Sequence, residues 1–185
     1  VLLVLSLILS YSLDTWFFYS LISLIVLTQI YSLWLKNIIF ADILTIASLF
    51  VIRAVSGALI INVKISPWLV LCPFFLSLFL SFGKRHSEKA LLKEKAGDTR
   101  KVLHEYTSEL TNSLMLISTT LLIISYALYS FLSEHKNLLF TLPFALYVIF
   151  RFYYLINTGS EIARHPEKVI KDKAMMTGII LWVLV

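Results

Sequence analysis

The chain has 185 residues, of which 59% are hydrophobic and only 15% charged, with a formal net charge of +5. A water-soluble fold of this size cannot hide so much apolar surface, because its surface-to-volume ratio is too high. An ordinary soluble enzyme, a disordered tail and a nucleic-acid module are thereby excluded, and a mean hydropathy of +0.86 points to a chain solvated largely by lipid.

In chain order, the sequence opens inside an apolar run, VLLVLSLILSYSL, with none of the features of a cleaved leader. Five apolar segments follow at 15–35, 42–61, 67–83, 112–131 and 137–157, and a last run occupies 174–185. Each of the five is near the ~20 residues that cross a bilayer, and backbone groups in hydrocarbon must be satisfied internally, so each predicts a helix. The expectation is an all-α, polytopic transmembrane bundle, with residues 1–185 forming one domain. Because the first and last runs are too short to span, we expect a piece of a longer chain with spans missing upstream and a truncated last helix. Cys72 is the single cysteine, which leaves no disulfide framework and no Cys-based metal site.

The connections alternate in character. Those around Asp14, Asn62–Pro67 and Ser133–Asn137 are short, whereas Lys36–Ala41, Lys84–Thr111 and Thr158–Lys173 are charged. The charged set holds 12 of the 16 Lys and Arg residues, which places it in the cytoplasm by the positive-inside rule. The opposite set holds only Lys64 and Lys136.

Arg53 stands alone near the middle of a span, 11 positions after Asp42 and close to the same helical face, as is Gly57. An arginine at that depth needs a wet cavity or a partner, and a structural ion pair with Asp42 is the plain alternative to a ligand site. Tyr31 and Lys36, in YSLWLK, read equally as interfacial anchors. Lys84, Arg85 and Glu88, in FGKRHSEK, suit a phosphate with its Mg²⁺, Lys84 and Glu88 sharing a face at i,i+4. A snorkelling basic cluster would look the same. Residues 84–109 carry mixed charge, as solvated helices do, with Gly97-Asp98 as a break between two helices. Arg151 lies about 9 Å from the cytoplasmic end of its helix, where it can snorkel or line the same cavity. No zinc-protease motif, Gly-rich phosphate loop or nucleophile triad spacing is present. The cations instead suggest a polyanionic phosphate ligand at the cytoplasmic leaflet.

From YSLWLK through Asp42, Phe50-x-x-Arg53-x-x-x-Gly57, Ser66 to Leu69, Lys84-Arg85-x-x-Glu88, Arg100-x-x-Leu103-x-x-Tyr106, the stretch around Arg151 and PEKVIKDK around Asp172, the sequence resembles the decaprenyl-phosphate phosphoribosyltransferase branch of the UbiA-type prenyltransferase superfamily. The resemblance implies a nine-helix bundle with a cytoplasm-facing cavity in a prokaryotic plasma membrane. About seven of those helices would be present here. It implies transfer of 5-phosphoribose from phosphoribosyl diphosphate to a polyprenyl phosphate, with release of diphosphate and Mg²⁺ as cofactor. The superfamily's first Asp-rich motif, N-D-x-x-D, is absent, and the resemblance places it, with the main Mg²⁺ site, upstream of residue 1. Its second Asp-rich motif is replaced by K-R-x-x-E, which favours the phosphoribosyl branch.

By resemblance the substrate-binding candidates are Tyr31, Lys36, Arg53, Lys84, Arg85, Arg100, Tyr106 and Arg151. Asp172 is a weaker candidate, Glu88 a support for Mg²⁺, and no residue is assigned a catalytic role. The implied partners are phosphoribosyl diphosphate, a polyprenyl phosphate lipid and the membrane, with no nucleic acid and a homo-oligomer left open. Two alternatives stand beside this reading: prenyl transfer from an isoprenyl diphosphate, and a fragment of a transporter. Broken helices or inverted repeats would favour the latter, and neither is evident apart from Pro73 and Pro143 near helix starts.

Overall fold

The computed structural model describes residues 2–92, 105–134 and 137–185, and among these it contains helices and turns but no strand. They fall into two compact units, Val1–Ser77 and Leu78–Val185.

The first unit holds α1 (Leu2–Leu13), α2 (Thr15–Leu33), α3 (Ala41–Ile60) and the first half of α4 (Pro67–Leu92). Asp14 separates α1 from α2: its carboxylate accepts the Phe17 N–H at 2.8 Å and caps α2. No residue of α2 is buried. Its hydroxyls turn inward instead, Ser20 and Thr28 donating to carbonyls one turn back, as a lipid-exposed helix requires.

The reversal from α2 to α3 is tight. A 3-10 turn at Leu35–Asn37 is followed by Phe40 at φ 65°, ψ −39°, where the Ala41 N–H donates to the Ile39 carbonyl at 2.8 Å. This is a γ-type turn, a strained conformation for a residue with a side chain. At its far end α3 stops at Asn62, which has φ 56°, while the Val63 N–H reaches back to the Ala58 carbonyl at 3.1 Å. The Ser-Pro of the ISPWL motif starts α4: Pro67 is its first residue, and Ser66 Oγ accepts the Leu69 N–H at 3.3 Å.

The second unit holds the rest of α4, then α5 (Ser108–Leu132), α6 (Leu138–Asn157), the short α7 (Glu161–Arg164), a 3-10 turn (Pro166–Lys171) and α8 (Lys173–Leu184). Within it, Phe79 of α4 meets Phe152 of α6 edge-to-face at 5.6 Å. One turn on, Gly83 lies so close to α6 and α5 that a β-carbon there would sit 2.5 Å from Ile156 Cδ1 and 3.8 Å from Met115 Sδ. Three contacts tie α8 and its N-cap residue to α5 and α6. A β-carbon on Gly178 would sit 2.7 Å from the Tyr147 ring. Trp182 donates to Tyr126 Oη, which is 2.6 Å from Thr141 Oγ1. Arg151 pairs with Asp172.

Among the described residues five helices, α2 to α6, are long and apolar enough to cross a membrane, and α1 and α8 are shorter apolar helices. All seven coincide with the expected runs. The charged connections differ. Instead of leaving the helix near residue 83, α4 continues to Leu92, because no proline interrupts Lys84–Leu92 and its charged residues are good helix formers. Lys84, Arg85 and Glu88 therefore project from a continuous helix rather than a loop. The connection 158–173 likewise carries α7 and a 3-10 turn. Pro73 and Pro143 lie within α4 and α6, six and five residues past their first residues. The expected break at Gly97-Asp98 lies outside the described residues.

Candidate functional site

In the first unit the candidates lie on either side of the γ-turn. Tyr31 is in the last turn of α2 and Lys36 in the 3-10 turn, both half-buried. Asp42, in the first turn of α3, is fully buried. Arg53 lies about 16 Å farther along the helix at 1.5 Å per residue. It is exposed, its guanidinium over the Phe50 ring at 5.8 Å, and it forms no ion pair among the described residues. The simple pairing of Arg53 with Asp42 is thus not what the helix builds: the two share a helical face but differ in burial. One turn beyond Arg53, a β-carbon on Gly57 would meet nothing within 4 Å.

In the second unit the K-R-x-x-E motif is arranged differently from the expected Lys84–Glu88 pair. Glu88 accepts from Arg85, whose Nη1 lies 2.7 Å from Oε2, and Lys84 is exposed. Both spacings lie on one helical face, but the buried arginine takes the carboxylate, since a desolvated guanidinium needs an anion more than an exposed ammonium does. Arg85 is only 5% exposed. Next to it, His86 Nδ1 lies 3.1 Å from Thr111 Oγ1 of α5. The Thr111 hydroxyl also lies 3.0 Å from the carbonyls of Thr107 and Ser108. Nothing in the sequence marked this histidine, because its partner lies 25 residues away.

Tyr106 is fully buried just before α5, so it does not offer a surface to a ligand in this arrangement. Arg100 lies outside the described residues.

Arg151 and Asp172, named separately from the sequence, come together. Asp172 Oδ2 accepts from Arg151 Nη2 at 2.8 Å and Oδ1 from Nε at 3.4 Å. Asp172 Oδ1 also accepts the Met175 N–H at 2.8 Å and so caps α8. These hydrogen bonds, the arginine's first, hold the Asp172 carboxyl below the usual carboxylate range. A carboxylate directly before an apolar run is a helix-start signal, and that much was readable. In the same connection Glu161 pairs with Lys168, which lowers its pKa, and His165 meets Glu167 at 3.0 Å.

As a Mg²⁺ ligand, Glu88 does not fit: its carboxylate is engaged by Arg85, and among the described residues no group of three or more His, Cys, Asp or Glu side chains gathers. Each unit by itself carries cations that suit an anion: the exposed Arg53 of α3 in the first, and the exposed Lys84 and part-exposed Arg151 in the second.

The comparisons with known proteins agree with that chemistry. Over 167 residues the chain is 29% identical to a decaprenyl-phosphate phosphoribosyltransferase of Mycolicibacterium smegmatis, covering 83% of this chain and 52% of the relative. It is 30% identical over 156 residues to the protein of the same name from Corynebacterium glutamicum, covering 80% and 46%. A third such protein, from Mycobacterium tuberculosis, is 26% identical over 155 residues, covering 83% and 51%. The chain thus spans about half the length of these relatives. The UbiA prenyltransferase family matches residues 1–168, and with five membrane-crossing helices the chain is an integral membrane protein that belongs to this family.

Proposed function

We propose that the protein of which this chain is part transfers 5-phosphoribose from phosphoribosyl diphosphate to a polyprenyl phosphate, releasing diphosphate. In this reading residues 1–185 act as one transmembrane domain in a prokaryotic plasma membrane, with the site on the cytoplasmic side, where the basic connections lie. The observation that carries it is Arg53: an exposed guanidinium about two-thirds of the way along a membrane helix, lying over the Phe50 ring with no carboxylate partner among the described residues. Such a charge is costly in lipid unless water or an anion attends it. Relatives that share a decaprenyl-phosphate phosphoribosyltransferase name over most of this chain support a phosphate-bearing lipid and donor as those anions.

The reaction breaks the bond from ribose C1 to the diphosphate oxygen and forms one from C1 to a lipid phosphate oxygen. The diphosphate leaves with the bonding electrons. The lipid phosphate is already an anionic nucleophile, so the protein's task is to hold two polyanions close together and to stabilise the leaving charge. Arg53 and Lys36 bind phosphate in the first unit, with Tyr31 lining the site. Lys84 and Arg151 do so in the second, while Arg85 and Glu88 compensate each other's charge beside Lys84. Mg²⁺ would supply charge neutralisation to the diphosphate, from ligands other than the described residues, which gather no site for it.

The test is incubation of membranes carrying the intact protein with labelled phosphoribosyl diphosphate, Mg²⁺ and polyprenyl phosphate. Label should enter the lipid extract. Transfer only from a labelled isoprenyl diphosphate would replace this reading with prenyl transfer, and substrate flux into vesicles without chemical change would replace it with transport.

A further inference from the structure

We infer that Asp172 is a positioning residue, which grips one edge of the Arg151 guanidinium and presents the opposite edge as a fork for the oxygens of a phosphate monoester or diphosphate. This deepens the reading above and rests on it for the identity of the ligand. A guanidinium has a side edge, formed by Nε and Nη2, and an end edge, formed by Nη1 and Nη2. Asp172 occupies the side edge, at 3.4 and 2.8 Å. Among the described residues no acceptor engages Nη1, so the end edge keeps its parallel N–H pair, the geometry that matches two phosphate oxygens.

Three further features fix the direction of that edge. Asp172 cannot swing away, because the same Oδ1 caps α8 through the Met175 N–H at 2.8 Å. The guanidinium lies over the Tyr154 ring at 5.3 Å, which restricts its tilt. The close approach at Gly178 sets the spacing of α6 and α8, from which the two partners project. The arginine of the pair is also the more accessible partner: its side chain is 31% exposed and that of Asp172 only 10%. Arg85 is the contrast. Its Nη1 is taken by Glu88 and its side chain is 6% exposed, so it cannot offer such a fork in this arrangement.

The phosphate could come from the soluble donor or from the lipid acceptor, and the experiment separates them. Asp172→Asn keeps a helix cap but loses the charge that aligns the arginine, whereas Asp172→Ala loses both. In the intact protein in detergent, stabilisation against heat is titrated with inorganic diphosphate. Asp172→Asn should retain more ligand-free stability than Asp172→Ala, because it keeps the cap, yet need about tenfold more diphosphate than the unmodified protein, the size of one lost charge-assisted hydrogen bond. Arg151→Lys, which keeps the charge without the planar fork, should show the same loss.

In the transfer assay the KM for phosphoribosyl diphosphate and the KM for polyprenyl phosphate are measured with the other substrate saturating. The one that rises in Asp172→Asn names the source of the phosphate, and kcat should change less. Unaltered diphosphate titration in Asp172→Asn overturns the proposal. So does an equal fall in ligand-free stability in Asp172→Asn and Asp172→Ala, which would make the pair a structural brace. If the intact protein transfers no phosphoribose at all, the function proposed above fails, while the diphosphate titration still decides the fork.

Discussion

The two units treat their arginines in opposite ways. In Val1–Ser77, Arg53 is exposed over a phenylalanine ring and has no carboxylate among the described residues. In Leu78–Val185, Arg85 and Arg151 are each held by a carboxylate, at 2.7 and 2.8 Å. A charge left without a counterion in a membrane helix is stabilised only when something else supplies one. A charge held by an aspartate or glutamate is already stabilised, and its use to a ligand lies in its orientation. The first unit thus offers attraction and the second offers geometry.

The contrast can be broken by substitution. Arg53→Ala should lower transfer about a hundredfold, the loss of roughly one strong ionic hydrogen bond to phosphate, with the thermal midpoint in detergent unchanged. A lower midpoint with turnover intact would make Arg53 structural and erase the difference between the units. Gly178→Val should act in the reverse sense. Its β-carbon would meet the Tyr147 ring at 2.7 and 3.0 Å and Val148 at 3.1 Å, so overpacking of about 1–3 kcal/mol should appear as loss of stability, read by thermal denaturation. Gly57→Leu sharpens the comparison. Nothing lies within 4 Å of the added carbon, so the fold should hold, yet the branched side chain would crowd the face of α3 one turn from Arg53 and cut transfer on the order of tenfold.

The smallest effect concerns pH. The Asp172 carboxyl titrates below its ordinary 3.8 in the folded protein, so the unfolded chain binds this proton more readily. Its contribution to stability is therefore complete above that ordinary value and is lost as pH falls through the lower, folded one. Denaturation midpoints of the unmodified protein and Asp172→Asn, compared in steps from neutral pH into acid, should stay at a constant offset down to about pH 5 and converge only below about pH 4.

Much of the fold was legible in the sequence, for a simple reason: the length and apolarity of a run are what lipid selects, so the helices fell where the runs did. What was hidden depended on choices that spacing does not make. Lys84 and Arg85 are both within helical reach of Glu88, and burial decided for Arg85. The continuation of α4 to Leu92 was obscured because a charged stretch reads as a connection, although nothing in Lys84–Leu92 breaks a helix. Arg151 and Asp172 are 21 positions apart, and only the folding of α6, α7 and the 3-10 turn brings them together. The His86–Thr111 link was hidden for the same reason.

The reversal at Phe40 has a mechanical consequence for the membrane. A bulky residue held at φ 65° is a stiff joint, costing about 1–3 kcal/mol, that cannot pay out slack without unwinding the turn at Leu35–Asn37. With α3 pinned at that end, the height of the guanidinium at position 53 above the leaflet surface is set by the protein rather than by the bilayer. Thickening or thinning the surrounding lipid should then tilt α3 and α2 as one piece while leaving the charge at a constant distance from its own threshold.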